Sequence, residues 1–158
     1  MADLKQLLER LSDADIEFVI VGGFAAVLHG STLVTRDLDV CTVLTDVTVG
    51  KLRKILADLT PVHRVGGGRL SFLTNPVPGI ELKNLYLETD AGAIDFLTSI
   101  TGIGDFQRVR AGAVEVELFG RRCLVMSLPD LIAAKRAMGR GKDQLAAQEL
   151  EAIAERLK

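Results

Sequence analysis

Val19-Ile20-Val21-Gly22-Gly23-Phe24-Ala25-Ala26, followed after ten intervening residues by Asp37-Leu38-Asp39, decides the reading of this chain. Residues 16–21 are almost wholly apolar and rich in β-branched and aromatic side chains, which predicts a buried strand that breaks at Gly22-Gly23. Residues 24–29 have room for two helical turns, stopped by Gly30. The segment 37–43 then alternates with a period of two. It places Asp37, Asp39 and Cys41 on one strand face and Leu38, Val40 and Thr42 on the other.

Two carboxylates at i and i+2 on a strand point the same way and lie roughly 7 Å apart. Acids so placed repel one another unless a cation sits between them. Mg²⁺ takes oxygen ligands and commonly binds through one or two carboxylates plus substrate phosphates, so this pair points to metal-dependent phosphate chemistry. Gly22-Gly23 adds a turn whose backbone, lacking Cβ, can approach a phosphate closely, with unpaired N–H groups opening the next helix. Either feature alone has a plainer reading: a tight strand-to-helix turn for the glycines, a solvent-facing edge strand for the acids. A third acid, Asp95, is flanked by Ile94, Phe96 and Leu97. A carboxylate in apolar surroundings needs a cation or hydrogen-bond donors.

Outward from this stretch, residues 1–12 read as an amphipathic helix with Leu4, Leu7, Leu8 and Leu11 on one stripe. Residues 46–59 read as a second, with Val49, Leu52, Leu56 and Leu59 along its apolar side. Strands are expected at 69–74, 81–87 and 92–98, and a hairpin from 114–119 and 123–126 around Gly120-Arg121. Ser127 is a helix N-cap for residues 128–138, which Gly139 and Gly141 end. A last helix spans about 142–157, with Leu145, Leu150, Ile153 and Leu157 as its stripe. The class is α/β (α+β): a mixed central sheet flanked by helices, with a C-terminal helical segment. The expected organisation is a single domain over 1–158, its core at about 14–126 and its C-terminal helices at about 127–157.

Composition agrees. With 48% hydrophobic and 25% charged residues, the 158-residue chain sits in the range of ordinary globular proteins and far from disordered ones. Its net charge of −2 gives no global pull toward nucleic acid. Cys41 and Cys123 match no metal-ligand spacing and read as buried reduced thiols, which places the expected compartment in the cytoplasm. No apolar run approaches the roughly twenty residues of a membrane span, and residues 1–12 lack the apolar core of a signal peptide.

Gly22-Gly23 followed by Asp37-Leu38-Asp39 resembles the Gly-Gly/Ser and Asp-x-Asp pattern of the DNA polymerase β-type nucleotidyltransferase superfamily. Within it the chain is most similar to the bacterial AbiEii-toxin-like proteins. The likeness runs through His29-Gly30, Thr35-Arg36-Asp37-Leu38-Asp39-Val40, Gly92-Ala93-Ile94-Asp95-Phe96-Leu97 and the stretch from Ser127 to Arg136, on to Gly139-Arg140 and Lys142-Asp143. It implies the nucleotidyltransferase fold and a site where Asp37, Asp39 and Asp95 hold Mg²⁺ (or Mn²⁺) against an NTP, with Asp95 helping to activate the acceptor. The implied activity moves a nucleoside monophosphate from the NTP to an acceptor hydroxyl. The group also implies an acceptor that is RNA (tRNA) or protein, and a toxin role with an antitoxin protein as partner. The alternative is a nucleotide- or partner-binding module of the same fold with little turnover.

Phosphates on two metals still carry charge for cations to neutralise, and Lys135, Arg140 and Lys142 are the candidates, strengthened by the Arg140-x-Lys142-Asp143 likeness. A solvated helix face is the plainer explanation of such a run. His29, His63, Arg36 and Arg69 have weaker claims, Arg69 because it follows the triplet Gly66-Gly67-Gly68 that has the composition of a closing loop. Relatives with Gly-Ser use the serine hydroxyl on a phosphate, and some carry a cation near position 33, where this chain has Gly23 and Leu33.

Overall fold

The computed structural model describes residues 3–65 and 69–158, so the Gly66-Gly67-Gly68 triplet and any closing role for it lie outside the described residues. Asp3 caps the first helix, α1 (Leu4–Asp13), by accepting from the Gln6 N–H at 3.0 Å, and the stripe Leu7, Leu8, Leu11 is buried as expected. Val19, Ile20 and Val21 form β1 (Val19–Val21), a strand buried on both faces. It runs directly into α2 (Gly22–Leu28). β2 (Leu38–Cys41) returns antiparallel to β1, and α3 (Asp46–Leu56), capped by Thr45, continues into a 3₁₀ turn, Ala57–Leu59.

The remaining sheet strands are β3 (Val62–His63), β4 (Asn84–Thr89) and β5 (Gly92–Leu97). A small separate hairpin follows, β6 (Ser99–Ile100) with β7 (Gly104–Asp105), and then α4 (Phe106–Gly112). The chain closes with β8 (Val114–Leu118), β9 (Arg121–Val125), α5 (Leu128–Met138) and α6 (Gly141–Arg156). Among the described residues, seven strands form one sheet in the order β3-β4-β5-β2-β1-β9-β8. It is mixed: β2 is parallel to β5 and β1 parallel to β9, while the other pairs are antiparallel. Around it α1 contacts α3, α4 contacts β1, and α5 lies along α6 while also touching α2. Arg108 clamps α4 to α5 through two bonds to Asp130, at 3.0 and 2.9 Å. None of the described helices is long and apolar enough to cross a membrane.

Several expectations change. Residues 69–74 form no strand: a single bridge pairs Ser71 with Val62, and the chain then turns, with Asn75 N–H donating to the Ser71 carbonyl. Arg53 takes the Phe72 carbonyl at 2.8 Å, which satisfies backbone that a strand partner would otherwise occupy. The hairpin turn is Phe119-Gly120, both at positive φ (53° and 77°), so Arg121 begins β9 instead of sitting in the turn. On α6 the buried face is Asp143, Ala147, Leu150 and Ile153, whereas Leu145 and Leu157 are exposed. The helix is rotated to bring Asp143 against α5, and the two leucines fall off the seam. Both cysteines are free and buried, and burial pushes the Cys41 thiol up to about 11.

Candidate active site

Strand register assembles the acids. In the β1–β2 pair Val21 lies opposite Asp39, in the β2–β5 pair Asp39 lies beside Asp95, and in the β4–β5 pair Asp95 faces Tyr86. Neighbouring strands are about 4.8 Å apart, so the two carboxylates stand side by side. Asp37 joins them from the bend just before β2. Along this strand face the Asp37 side chain is 49% exposed and Cys41 is fully buried, so the acids occupy the open end of an otherwise apolar strand.

Gly22 explains how Asp39 fits. It adopts φ +67°, and a Cβ built on it would lie 2.3 Å from Asp39 Oδ2. The carboxylate therefore packs directly on glycine backbone, a contact no other residue permits. Gly23 is crowded from another side: a Cβ there would lie 3.0 Å from Thr35 Oγ1, whose hydroxyl donates to the Asp37 carbonyl at 3.1 Å. The loop ahead of Asp37 is thus folded back onto the glycine turn.

Arg64 is the residue that sequence reasoning missed. It follows β3, where its N–H donates to the Tyr86 carbonyl at 3.0 Å, and its guanidinium lies 5.9 Å from the Tyr86 ring centroid. That guanidinium donates to Asp95 Oδ1 and comes within 3.9 Å of Asp37 Oδ2. No spacing motif links position 64 to the acids; the β3–β4–β5 pairing alone brings it there.

One cation does not balance three carboxylates. Burial first, then the charges of Asp95 and Asp37, push the Asp39 carboxyl up to about 6, despite the opposing effect of Arg64. Burial also raises the Asp95 carboxyl, against the lowering by its Arg64 bond. Among the described residues no three His, Cys, Asp or Glu side chains converge so as to hold a metal ion. The donor set nevertheless suits a hard divalent cation: oxygen-only ligands, excess negative charge and an open side for water or phosphate oxygens. Asp39 and Asp95, side by side, with the more exposed Asp37 at the open edge, are the residues that would hold it.

Asp39 and Gly22 line a cavity of about 430 Å³ that also reaches Tyr86, Ser99, Lys135 and Arg140. Lys135 and Arg140 are held by one buried carboxylate: Asp143 lies 3.7 Å from Lys135 Nζ and accepts from Arg140 Nε at 2.5 Å. The Arg140 bond keeps the Asp143 carboxyl below its ordinary range. Lys142 is exposed in the first turn of α6 and lines no part of this cavity, nor do Asp37, Asp95 and Gly23. His29 bonds through Nε2 to the Met126 carbonyl at 2.8 Å, fastening α2 to the end of β9. His63 bonds to the Asn75 carbonyl at 2.6 Å and meets Phe72 edge-on. Arg36, Arg69 and Leu33 are exposed.

No family model matches the chain. No curated protein matches it either. Solved structures do. LnuA, a lincosamide antibiotic adenylyltransferase bound to lincomycin, is 18% identical, with a TM-score of 0.60 over 96% of this chain and 98% of its own. ANT(2'')-Ia in complex with adenylyl-2''-tobramycin is 14% identical, with a TM-score of 0.51 over 94% of this chain and 95% of its own. An antigenic nucleotidyltransferase-like protein from Paracoccidioides brasiliensis is 16% identical, with a TM-score of 0.54 over 95% of this chain and 73% of its own. The mixed sheet and its flanking helices are therefore the nucleotidyltransferase fold expected from the sequence.

Proposed function

We propose that this chain is a metal-dependent nucleotidyltransferase that moves a nucleoside monophosphate from an NTP to an acceptor hydroxyl. The observation that carries the reading is the in-register pair Asp39 and Asp95, with Asp39 on glycine backbone in a cavity that Lys135 and Arg140 also line. The acceptor oxygen bonds to the α-phosphorus as the bond to pyrophosphate breaks, and Asp95 receives the hydroxyl proton. Asp37, Asp39 and Asp95 would hold the divalent ion. When bound, Mg²⁺ or Mn²⁺ supplies Lewis-acid stabilisation of the α-phosphate and of the leaving oxygen. Lys135 and Arg140 neutralise the departing pyrophosphate, Lys142 adds charge from outside the cavity, and the Gly22-Gly23 backbone approaches the phosphates.

The experiment is label transfer. Each α-labelled NTP is incubated with Mg²⁺ or Mn²⁺ and with RNA, protein extract or hydroxyl-bearing small molecules. The Asp37→Ala/Asp39→Ala double variant serves as the control. Label on one acceptor class with the wild type alone is the expected result. An RNA (tRNA) or protein acceptor, a toxin role and an antitoxin partner rest on the AbiEii-like motif string. The antibiotics named with LnuA and ANT(2'')-Ia motivate the small-molecule arm. A binding module with little turnover is the second reading, favoured by Arg64 lying across two of the acids. It predicts NTP binding with no label on any acceptor.

Asp143 gives a separate check on the cations. Asp143→Asn removes the charge that aligns Lys135 and Arg140, both of which remain beside the cavity. Direct titration is expected to show NTP binding several-fold weaker, with the melting temperature lowered by a few degrees. Unchanged NTP binding in a destabilised variant would confine Asp143 to holding α5 against α6.

A further inference from the structure

Among the described residues, Arg64 is the one charged group in contact with the acid cluster that the proposed chemistry leaves without a part. Its guanidinium reaches Asp95 on β5 and Asp37 in the bend just before β2, on either side of Asp39 in the acid cluster. A carboxylate oxygen that accepts a guanidinium bond is not free to take its place in a tight octahedral shell, where Mg²⁺ demands ligands at about 2.0–2.1 Å. Guanidinium and divalent ion therefore compete for Asp95 Oδ1, and their charges repel beside Asp37.

Resting on the nucleotidyltransferase reading above, we propose that Arg64 is the built-in counter-cation of the cluster, displaced when a divalent ion enters together with the triphosphate. The backbone of Arg64 does not have to move. Its N–H is bonded to the Tyr86 carbonyl, and the preceding β3 pairs His63 with Leu87. Only the side chain, 34% exposed, changes its position. Glu88 on β4 adds an attraction to Arg64 weaker than those of Asp95 and Asp37. The incoming triphosphate supplies further negative charge for the released guanidinium. Metal and nucleotide are then linked: each relieves the competition that opposes the other, so each raises the other's affinity. Without nucleotide, Arg64 offsets part of the acids' charge and metal binds weakly.

The test is Mn²⁺ binding, read from the free-ion signal in electron paramagnetic resonance, with no acceptor present and no turnover required. Wild type, Arg64→Met, Arg64→Lys, Arg36→Met and Asp39→Asn are titrated with Mn²⁺ alone, and again with a non-hydrolysable α,β-methylene NTP analogue. Arg64→Met is expected to bind Mn²⁺ alone about tenfold or more tightly than wild type, the effect of removing an opposite charge in contact with carboxylates. Arg64→Lys keeps the charge without the fork and should fall between them. Arg36→Met, which removes an exposed arginine next to Asp37 in sequence, is expected to change affinity by less than about twofold. The analogue should tighten Mn²⁺ binding more in wild type than in Arg64→Met. Equal affinities in wild type, Arg64→Met and Arg64→Lys, with Asp39→Asn weaker than all of them, would overturn the displacement while keeping the metal site. No Mn²⁺ binding to any chain, with or without the analogue, would remove the metal site and this inference together.

Discussion

Asp39→Asn is expected to raise the melting temperature of the metal-free protein at pH 7.5 and, at the same time, to lower nucleotidyl transfer by at least about a hundredfold. The two effects have one cause. In the fold, Asp39 is held among Asp95, Asp37 and low-dielectric surroundings that push its carboxyl from 3.8 to about 6. A carboxyl raised in this way binds its proton more tightly folded than unfolded, so stability is highest below about pH 4. It then falls as pH rises toward 6, and the loss is complete above that. The displacement corresponds to something on the order of 2–3 kcal/mol at neutral pH. Asparagine carries no charge to repel, so the variant's advantage should be present at pH 7.5 and absent at pH 4, which thermal melts at both values will show. Mg²⁺ with an NTP should reverse the order, stabilising the wild type and leaving the variant unchanged. Equal melting of the two chains under every condition would mean that Asp39 is neither strained nor a ligand.

The elements around that carboxylate were legible in the sequence because each carried its own local signal. The apolar run ending in Gly22-Gly23 is a strand meeting a helix, the alternation over 37–43 contains the shorter β2, and Ser127 caps α5 by accepting from the Asp130 N–H. The placement of Lys135 and Arg140 beside the Asp39 cavity also follows from helices whose starts and stops are marked. What escaped depends on contacts between distant segments. Arg64 reaches the acids only because the two-residue β3 pairs with β4 and β4 with β5, and a strand of two residues has no period to detect. The 69–74 stretch has strand-like composition, yet Arg53 claims its backbone carbonyl from α3. Leu145 and Leu157 fit a helical stripe, but a buried Asp143 sets the rotation of α6. α4 did leave a trace: Asp105 accepts from the Arg108 N–H, an N-cap readable as Asp followed by Phe106-Gln107-Arg108. Its seven residues were too few to display a periodic stripe.

Gly22→Ala tests whether the glycine turn exists to seat Asp39, and a large loss of activity is expected from adding one methyl group. Two penalties act together. Alanine at φ +67° adopts a left-handed conformation at about 1–2 kcal/mol. Its Cβ would also lie 2.3 Å from Asp39 Oδ2 and 3.1 Å from Asp39 Cβ and Cγ. Either the carboxylate rotates away or the β1–α2 junction shifts, and both displace the acid by an ångström or more from its place beside Asp95. A misplacement of that size is worth about a hundredfold or more in rate, even where folding survives. Because the clash disturbs position rather than charge, the signature differs from that of Asp39→Asn: Gly22→Ala should be less stable than wild type, with the two acids still ionisable. Adding Asp39→Asn to it should cost little further activity, since the carboxylate is already out of place. Measured rates that multiply across the double variant, or a Gly22→Ala enzyme as active as wild type, would show that the glycine serves the turn alone. In that case the phosphate-facing backbone, and not the seat of Asp39, would be what a glycine at position 22 preserves.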